Sequence, residues 1–293
     1  MVKKPKALML EEALYRRLAG YTFSDDYYYV NSGYEGEILF LQKFPIKDCH
    51  LQLFNITLQV DNTKFEIDRA IITGDGIYAF DVKNYGKGYE IINNDWYKNK
   101  NIIKNPMTQY NGMKNGLNTI AKLMTLPHDI YCYTVFIKKE FNINQKLEGI
   151  LLYNEIHQTF RKIHNDKPVS QLDKKLLTHI ESNHIPLTFH NRRPQFDIRD
   201  IEPGLKCMNC NSSILKLENN ARTIVCSSCL SKTTKIELIL NNLIDLDIIF
   251  ARPFSTKEAH KWIGTDYRNI TLRVLNQYFI RTENDEYYYK YNC

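Results

Sequence analysis

Four cysteines constrain this chain more than any other feature. Cys207-Met208-Asn209-Cys210 and Cys226-Ser227-Ser228-Cys229 form the spacing C-x2-C-x15-C-x2-C. Two thiols two residues apart sit on one tight knuckle, and two such knuckles can close around a single tetrahedral ion. The pattern predicts a zinc ribbon over residues 204–233. Protein sulfur fills all four positions, so the Zn2+ is expected to be structural. Its hairpin is expected from residues 214–218 and 222–225 around Asn219-Asn220. Four free thiols and a redox CxxC are the competing readings, and the second lacks a thioredoxin-like context. Cys49, Cys132 and Cys293 are scattered and odd in number, which in a reducing cytosol speaks against a disulfide framework.

The cysteine block divides the 293 residues unevenly. The expected order is a domain over residues 1–185, a proline- and arginine-bearing linker over 186–203, the ribbon, and a helical domain over 234–293. In the first part, residues 10–20 and 35–44 read as helices. Residues 51–60, 65–72 and 76–83 alternate like strands, with Gly74-Asp75-Gly76 as a hairpin turn. Residues 89–92 and 95–98 form a smaller hairpin. Asn105-Pro106 opens a helix of about 20 residues. Strands are expected at 129–137 and 149–153, and a helix at 169–183. This order implies an α/β (α+β) domain, one mixed sheet flanked by helices. No run reaches the ~18 apolar residues of a membrane span. The basic start is followed by a stretch broken by Glu11 and Glu12, so no signal peptide is read. A cytoplasmic protein without a membrane partner is expected. The net charge of +6 permits a polyanionic partner without requiring one.

Chemistry concentrates in the hairpin. Strand side chains alternate, so Asp81 and Lys83 share a face while Phe80 and Val82 take the other. Asp68 on the preceding strand shares a face with Glu66 and, if the strands pair, meets the same cavity. Two carboxylates can hold Mg2+ through oxygen. A nearby lysine can orient water or offset charge on a pentavalent phosphate. Asp-x-Lys alone also describes a solvated strand face with a cross-strand ion pair.

The surrounding residues add to this. Gly36-Glu37, Glu66-Ile67-Asp68, the stretch Gly76 to Tyr85, Trp96, and Asn105-Pro106-x-x-Gln109 resemble the nuclease-related (NERD) domain of the PD-(D/E)xK nuclease superfamily, from about residue 33 to 125. The resemblance implies a restriction-endonuclease-like fold and a Mg2+- or Mn2+-dependent nuclease. Glu37 would help hold the metal, Asp68 would be its central ligand, Asp81 and Lys83 would be the (D/E)xK pair, and Gln109 would approach from its helix. Asp81 departs from the Glu-x-Lys of typical members, a side chain one methylene longer. Glu35 rivals Glu37. Asn105-Pro106 also reads as a helix start and Trp96 as core.

Beyond the ribbon, residues 234–250 are helical in register. Ser255-Thr256-Lys257-Glu258 is a capping box for a second helix ending at Gly264. A third follows Asp266, then a hairpin around Asn284-Asp285. Three helices and a hairpin resemble a winged helix. The third helix would read DNA with Arg268, Asn269, Thr271, Arg273 and Gln277; a dimerisation module of the same shape is the alternative. Taken together, the expectation is a Mg2+-dependent deoxyribonuclease targeted to DNA by its C-terminal modules. An inactive nuclease-fold scaffold and a defence RNase stand beside it. No G-x4-G-K-[ST] occurs, so any helicase or defence partner would be separate, and the chain could itself oligomerise.

Overall fold

The structure, a computed structural model, describes residues 2–60, 63–185, 193–214, 222–264, 267–282 and 285–291, with backbone alone from 282 onward. Much of the linker, residues 215–221 of the ribbon, Thr265-Asp266 and the hairpin turn at Asn284 lie outside the described residues.

In chain order the elements begin with α1 (Lys6–Arg17) and α2 (Asp25–Lys43). Three strands follow, β1 (Leu51–Val60), β2 (Thr63–Ile72) and β3 (Gly76–Lys83). A small meander comes next, β4 (Tyr89–Ile92), β5 (Asp95–Lys98) and β6 (Asn101–Ile103). After α3 (Met107–Leu123) come β7 (Asp129–Phe136), β8 (Ile150–Leu151), α4 (Tyr153–Asn165) and α5 (Gln171–Ser182). The remainder holds β9 (Thr223–Val225), β10 (Lys232–Thr234), α6 (Lys235–Phe250), β11 (Phe254–Ser255), α7 (Thr256–Ile263), α8 (Arg268–Tyr278), β12 (Phe279–Thr282) and β13 (Asp285–Tyr291). No described helix is long and apolar enough to cross a membrane.

The chain divides into two compact units. One comprises residues 1–2 and 31–188, the other residues 3–30 and 189–293. The first is the expected mixed sheet flanked by helices. Its order is β1-β2-β3-β7-β8, antiparallel from β1 to β3 and parallel from β3 to β8. The central strand β3 is buried along nearly its whole length. Its side chains therefore alternate between two apolar layers. Ile77 and Ala79 pack with Tyr110, Met113, Leu117 and Ile120 of α3 and with Leu176 and Ile180 of α5. Tyr78, Phe80 and Val82 pack with Phe40 of α2 and with Ile156, Phe160 and Ile163 of α4. That double burial holds the end of β3, where Asp81 and Lys83 lie, in a fixed position.

Two elements differ from expectation. Residues 149–153 yield a strand of only two residues, because α4 begins at Tyr153. Glu155 Oε2 accepts the Leu152 N–H at 3.0 Å, and Ile156, Phe160 and Ile163 repeat at helical spacing. The meander also gains β6, paired with β5.

The second unit corrects the place of the N-terminus, which the sequence grouped with residues 1–185. Leu10, Ala13 and Leu14 of α1 are buried among Leu238, Leu243 and Leu246 of α6 and Trp262 of α7. Arg17, fully buried, bonds Asp245 at 2.9 Å, Asn242, and the Glu202 and Gly204 carbonyls. Arg16 holds the same carboxylate at 2.7 Å. A buried guanidinium needs such partners to offset its lost hydration. Helices α6, α7 and α8 pack beside a three-stranded antiparallel sheet ordered β11-β13-β12. The boundary between the units falls inside α2, after Val30.

Candidate active site and metal centre

The site arises where β2 and β3 part. Their ladder ends at Arg69 opposite Phe80; continued one step, it would set Asp68 against Asp81. On the other side of β2, Asn55 of β1 adopts φ 52°, and the Asn55–Asp68 pair is missing from the β1–β2 register. The apolar alternation slips there by one residue. Leu53 and Ala70 face the α3 layer, yet so do Ile56 and Ile67. Asp68, released from regular pairing, turns its carboxylate to the Val82 N–H at 2.6 Å. Asn55 in turn donates to Glu37 Oε2 at 3.0 Å.

Asp81 has no exposure, and its carboxylate bonds Lys83 Nζ at 2.6 Å and the Thr134 hydroxyl at 3.3 Å. Lys83 Nζ also donates to Gln109 Oε1 at 3.0 Å. Asp81, Lys83 and Gln109 are thus one bonded group, and Asp68 and Glu37 line one pocket beside it with Val82. Between the rivals on α2, Glu35 is exposed and accepts from Asn31 at 2.8 Å, whereas Glu37 turns inward. Gly36 makes this possible. A Cβ there would stand 2.8 Å from the Asn84 Cβ, so only glycine lets α2 come this close to the end of β3. Gly36→Ala is expected to push α2 outward and to lower any activity that depends on Glu37, with little change in the rest of the unit. Paired activity and thermal-melting measurements check this.

The electrostatics are those of a crowded acidic site. Burial raises Asp68 well above the usual carboxylate range, and Asp81 and Glu37 raise it further. Burial also raises Asp81, although Lys83 and Thr134 oppose the shift. Glu37 is pushed up to about 7 by burial, with Asp81 adding to it and Asn55 and Lys83 opposing. Burial pulls Lys83 down, but Asp81 and Asp68 outweigh it and leave it raised. Raised carboxylates hold protons that the unfolded chain gives up near pH 4.5. The stability they carry is therefore present below that pH and is lost as pH rises towards 7. Metal-free protein should melt at progressively lower temperature over that interval, and Glu37→Gln should flatten the profile. An equally steep profile in the variant would contradict it.

The four cysteines form a second, separate site. Their sulfurs lie within 4.8 Å of one another, the one such set of three or more His, Cys, Asp or Glu donors among the described residues. Cys207–Cys229 and Cys210–Cys226 stand 3.8 and 3.7 Å apart. Four sulfurs at ~2.3 Å from a tetrahedral zinc would be spaced about 3.8 Å apart. The two knuckles are built alike. Asn211 N–H returns to the Cys207 carbonyl and Leu230 N–H to that of Cys226, both at 2.9 Å. Asn211 and Leu230 both take positive φ, at 63° and 59°. Serine hydroxyls lie against the sulfurs, Ser212 3.3 Å from Cys226 and Ser231 3.1 Å from Cys229. The Ser212 hydrogen bond helps lower Cys226 to about 7, and Asn209 and Ser231 lower Cys229 to about 5. Donor type, spacing and the lowered Cys226 and Cys229 thiols fit a structural zinc, while the neighbouring Cys226 and Cys229 sulfurs help raise Cys210. β9 pairs with β10, while residues 215–218 of the expected hairpin lie outside the described residues.

The comparisons bear on the first unit. Residues 32–137 match the family model of the nuclease-related domain. No curated protein and no solved structure matches the chain. The nuclease-related segment runs from the middle of α2 through β7 and contains Glu37, Asp68, Asp81, Lys83 and Gln109. It ends before α4 and contains none of the four clustered cysteines and none of α6 to α8.

On α8 the predicted residues divide. Arg268, Asn269, Arg273 and Gln277 are exposed. Thr271 is buried with its Oγ1 unpartnered, so it cannot read a base. Its place three and four residues before Val274 and Leu275, both buried, puts it on the core stripe. Asn105 Oδ1 accepts the Met107 N–H at 2.9 Å, the helix-start role, and Trp96 is core. Sequence reasoning missed Asn55, Thr134 and Lys104. The first needed the positive φ to be seen, the second lies on a strand parallel to β3, and the third is an exposed lysine whose charge reaches Asp81.

Proposed function

We propose that the nuclease-related unit hydrolyses phosphodiester bonds of DNA with Mg2+ or Mn2+. The observation that carries this reading is the convergence of Glu37, Asp68 and Asp81 beside Lys83 and Gln109 at the splayed end of β2 and β3. The donor set fits a hard cation. It is all oxygen, and its surplus negative charge keeps protons that a divalent ion would displace. Mg2+ is commonly held by one or two carboxylates together with water and substrate phosphate, so a set of two or three acids is enough for it. Asp68 and Asp81 would hold the ion, with Glu37 contributing from α2. When bound, the ion polarises the phosphate and lowers the pKa of attacking water.

The side chains divide the remaining work. Thr134 and Lys83 fix the Asp81 carboxylate, and the Val82 N–H fixes Asp68, so neither has to reorganise. Lys83 carries positive charge to where the phosphorane becomes more negative, and Gln109 holds that ammonium in line. Lys104, exposed at the entry to α3, would draw a phosphate toward Asp81. Lys104→Ala is expected to raise KM severalfold at low salt while kcat changes little. An equal fall in kcat would place the residue in the chemistry instead.

The cysteine module, read as a zinc ribbon, and α6 to α8 with their three-stranded sheet, read as a winged helix, would deliver the nuclease to DNA. Support comes from the exposed polar face of α8. Plasmid nicking with Mg2+ or Mn2+, run beside an RNA substrate, tests the proposal. Nicked plasmid with intact RNA is expected. Cleavage of RNA alone would make the chain a ribonuclease, and DNA binding without cleavage would make it a scaffold. A cut at residue 190 is a poor test, since it would strip α1 of the apolar partners that bury Leu10 and Leu14.

A further inference from the structure

Between α7 and α8 lies an open concavity of about 840 Å³. Lys257 and Lys261, one helical turn apart on α7, line it with Arg268, the first residue of α8. All three are exposed, and none has a carboxylate partner among the described residues. Several other cations of this unit are placed differently. Arg16 and Arg17 hold Asp245, Lys206 holds Glu202, and Arg252 holds Glu258. The charges of the concavity are therefore left for a ligand. The His260 ring is part of the same wall. Arg268 also begins the exposed face that continues through Asn269, Arg273 and Gln277.

We propose that this concavity is an oxyanion site that clamps a backbone phosphate of duplex nucleic acid. Lys257, Lys261 and Arg268 supply the charge. The assignment rests on the nucleic-acid reading of the C-terminal unit and refines it. Arg268 moves from base reading to register setting, and base contacts fall to Asn269, Arg273 and Gln277. Phosphate clamps of this kind add affinity without sequence preference and are released by salt.

The test is duplex binding by the full chain, without added divalent metal, over a range of salt concentrations. Lys257→Ala/Lys261→Ala/Arg268→Ala should bind at least ~10-fold more weakly, uniformly across sequences. Its salt slope should be shallower by about 0.9 for each phosphate that the variant no longer neutralises. Lys257→Arg/Lys261→Arg should keep the wild-type slope. Arg161→Ala/Lys174→Ala/Lys175→Ala removes three exposed cations of the other unit and should also keep it. Equal slopes for wild type and the first triple variant would overturn the phosphate site while leaving duplex binding in place. A wild-type chain that does not bind duplex even at low salt would overturn the reading beneath it as well. A separate arm titrates inorganic phosphate. If phosphate alone binds wild type as tightly as duplex does and the triple variant loses only that, the site serves free phosphate and the duplex assignment falls.

Discussion

Asp81→Ala and Asp68→Ala are each expected to bring metal-dependent cleavage down to the uncatalysed background. The reason is positional as well as chemical. Asp81 sits near the packed end of β3, held by the Thr134 hydroxyl on one side and Lys83 on the other. Asp68 is turned inward by a ladder that breaks at Asn55. Removing either would take away a proposed oxygen ligand, leaving one aspartate and Glu37 of α2. Lys83→Ala should cost about 10²–10³-fold in kcat, the scale of removing one preorganised electrostatic partner of a transition state. It should leave metal binding intact or tighter, since the metal no longer competes with the Lys83–Asp81 ion pair for the carboxylate. Calorimetric Mn2+ titration beside single-turnover cleavage separates these outcomes. If Asp81→Ala cleaved like wild type, this cluster would not be the catalytic site. Asp68→Asn carries a second expectation, a higher melting temperature without metal near pH 7, because it removes a carboxyl group whose ionised form burial, and then its acidic neighbours, disfavour. Lost activity together with gained stability would be hard to explain if these carboxylates served the fold alone.

The parts of this architecture legible in the sequence were those set by local pattern. The alternation of β1 to β3, the Gly74 turn and the capping box at Ser255 each state a structure within a few residues. The cysteine spacing states a whole module, since no other arrangement brings four thiols together so economically. Features made by long-range packing stayed hidden. Nothing local in α1 says that its apolar stripe belongs with α6, more than 200 residues away. The slip in alternation at Asn55 is equally silent, because asparagine tolerates positive φ without requiring it. Thr271 shows the opposite failure. Its polar label suggested an exposed site, whereas its spacing from Val274 and Leu275 already gave the buried one.

Cys226→Ser should remove zinc from the chain and unfold the cysteine module. Purified wild type is expected to carry one tightly held zinc. Two of the sulfur pairs already stand at tetrahedral separations, and the neighbours of Cys226 and Cys229 favour the thiolate. Structural zinc is worth ~10–16 kcal/mol of apparent binding energy in finger peptides, far more than hairpins as short as β9 and β10 can supply. Without the ion, nothing bridges the two knuckles across the sulfurs that now lie within 4.8 Å of one another. The damage should reach further than the module. Leu205 and Ile224, which flank the knuckles, are buried in the same apolar cluster as Leu238 and Leu243 of α6. Loss of zinc should therefore lower the melting temperature of the second unit and weaken DNA binding through α8. The nuclease-related unit has its own apolar layers and shares no ligand with this site, so its secondary structure and metal-dependent cleavage at low salt should persist. Elemental analysis, hydrogen exchange resolved by segment, and nicking at two salt concentrations read these effects separately. Purified wild type without zinc, its amides near Cys207 and Cys226 still protected, would show that the module holds together by other means.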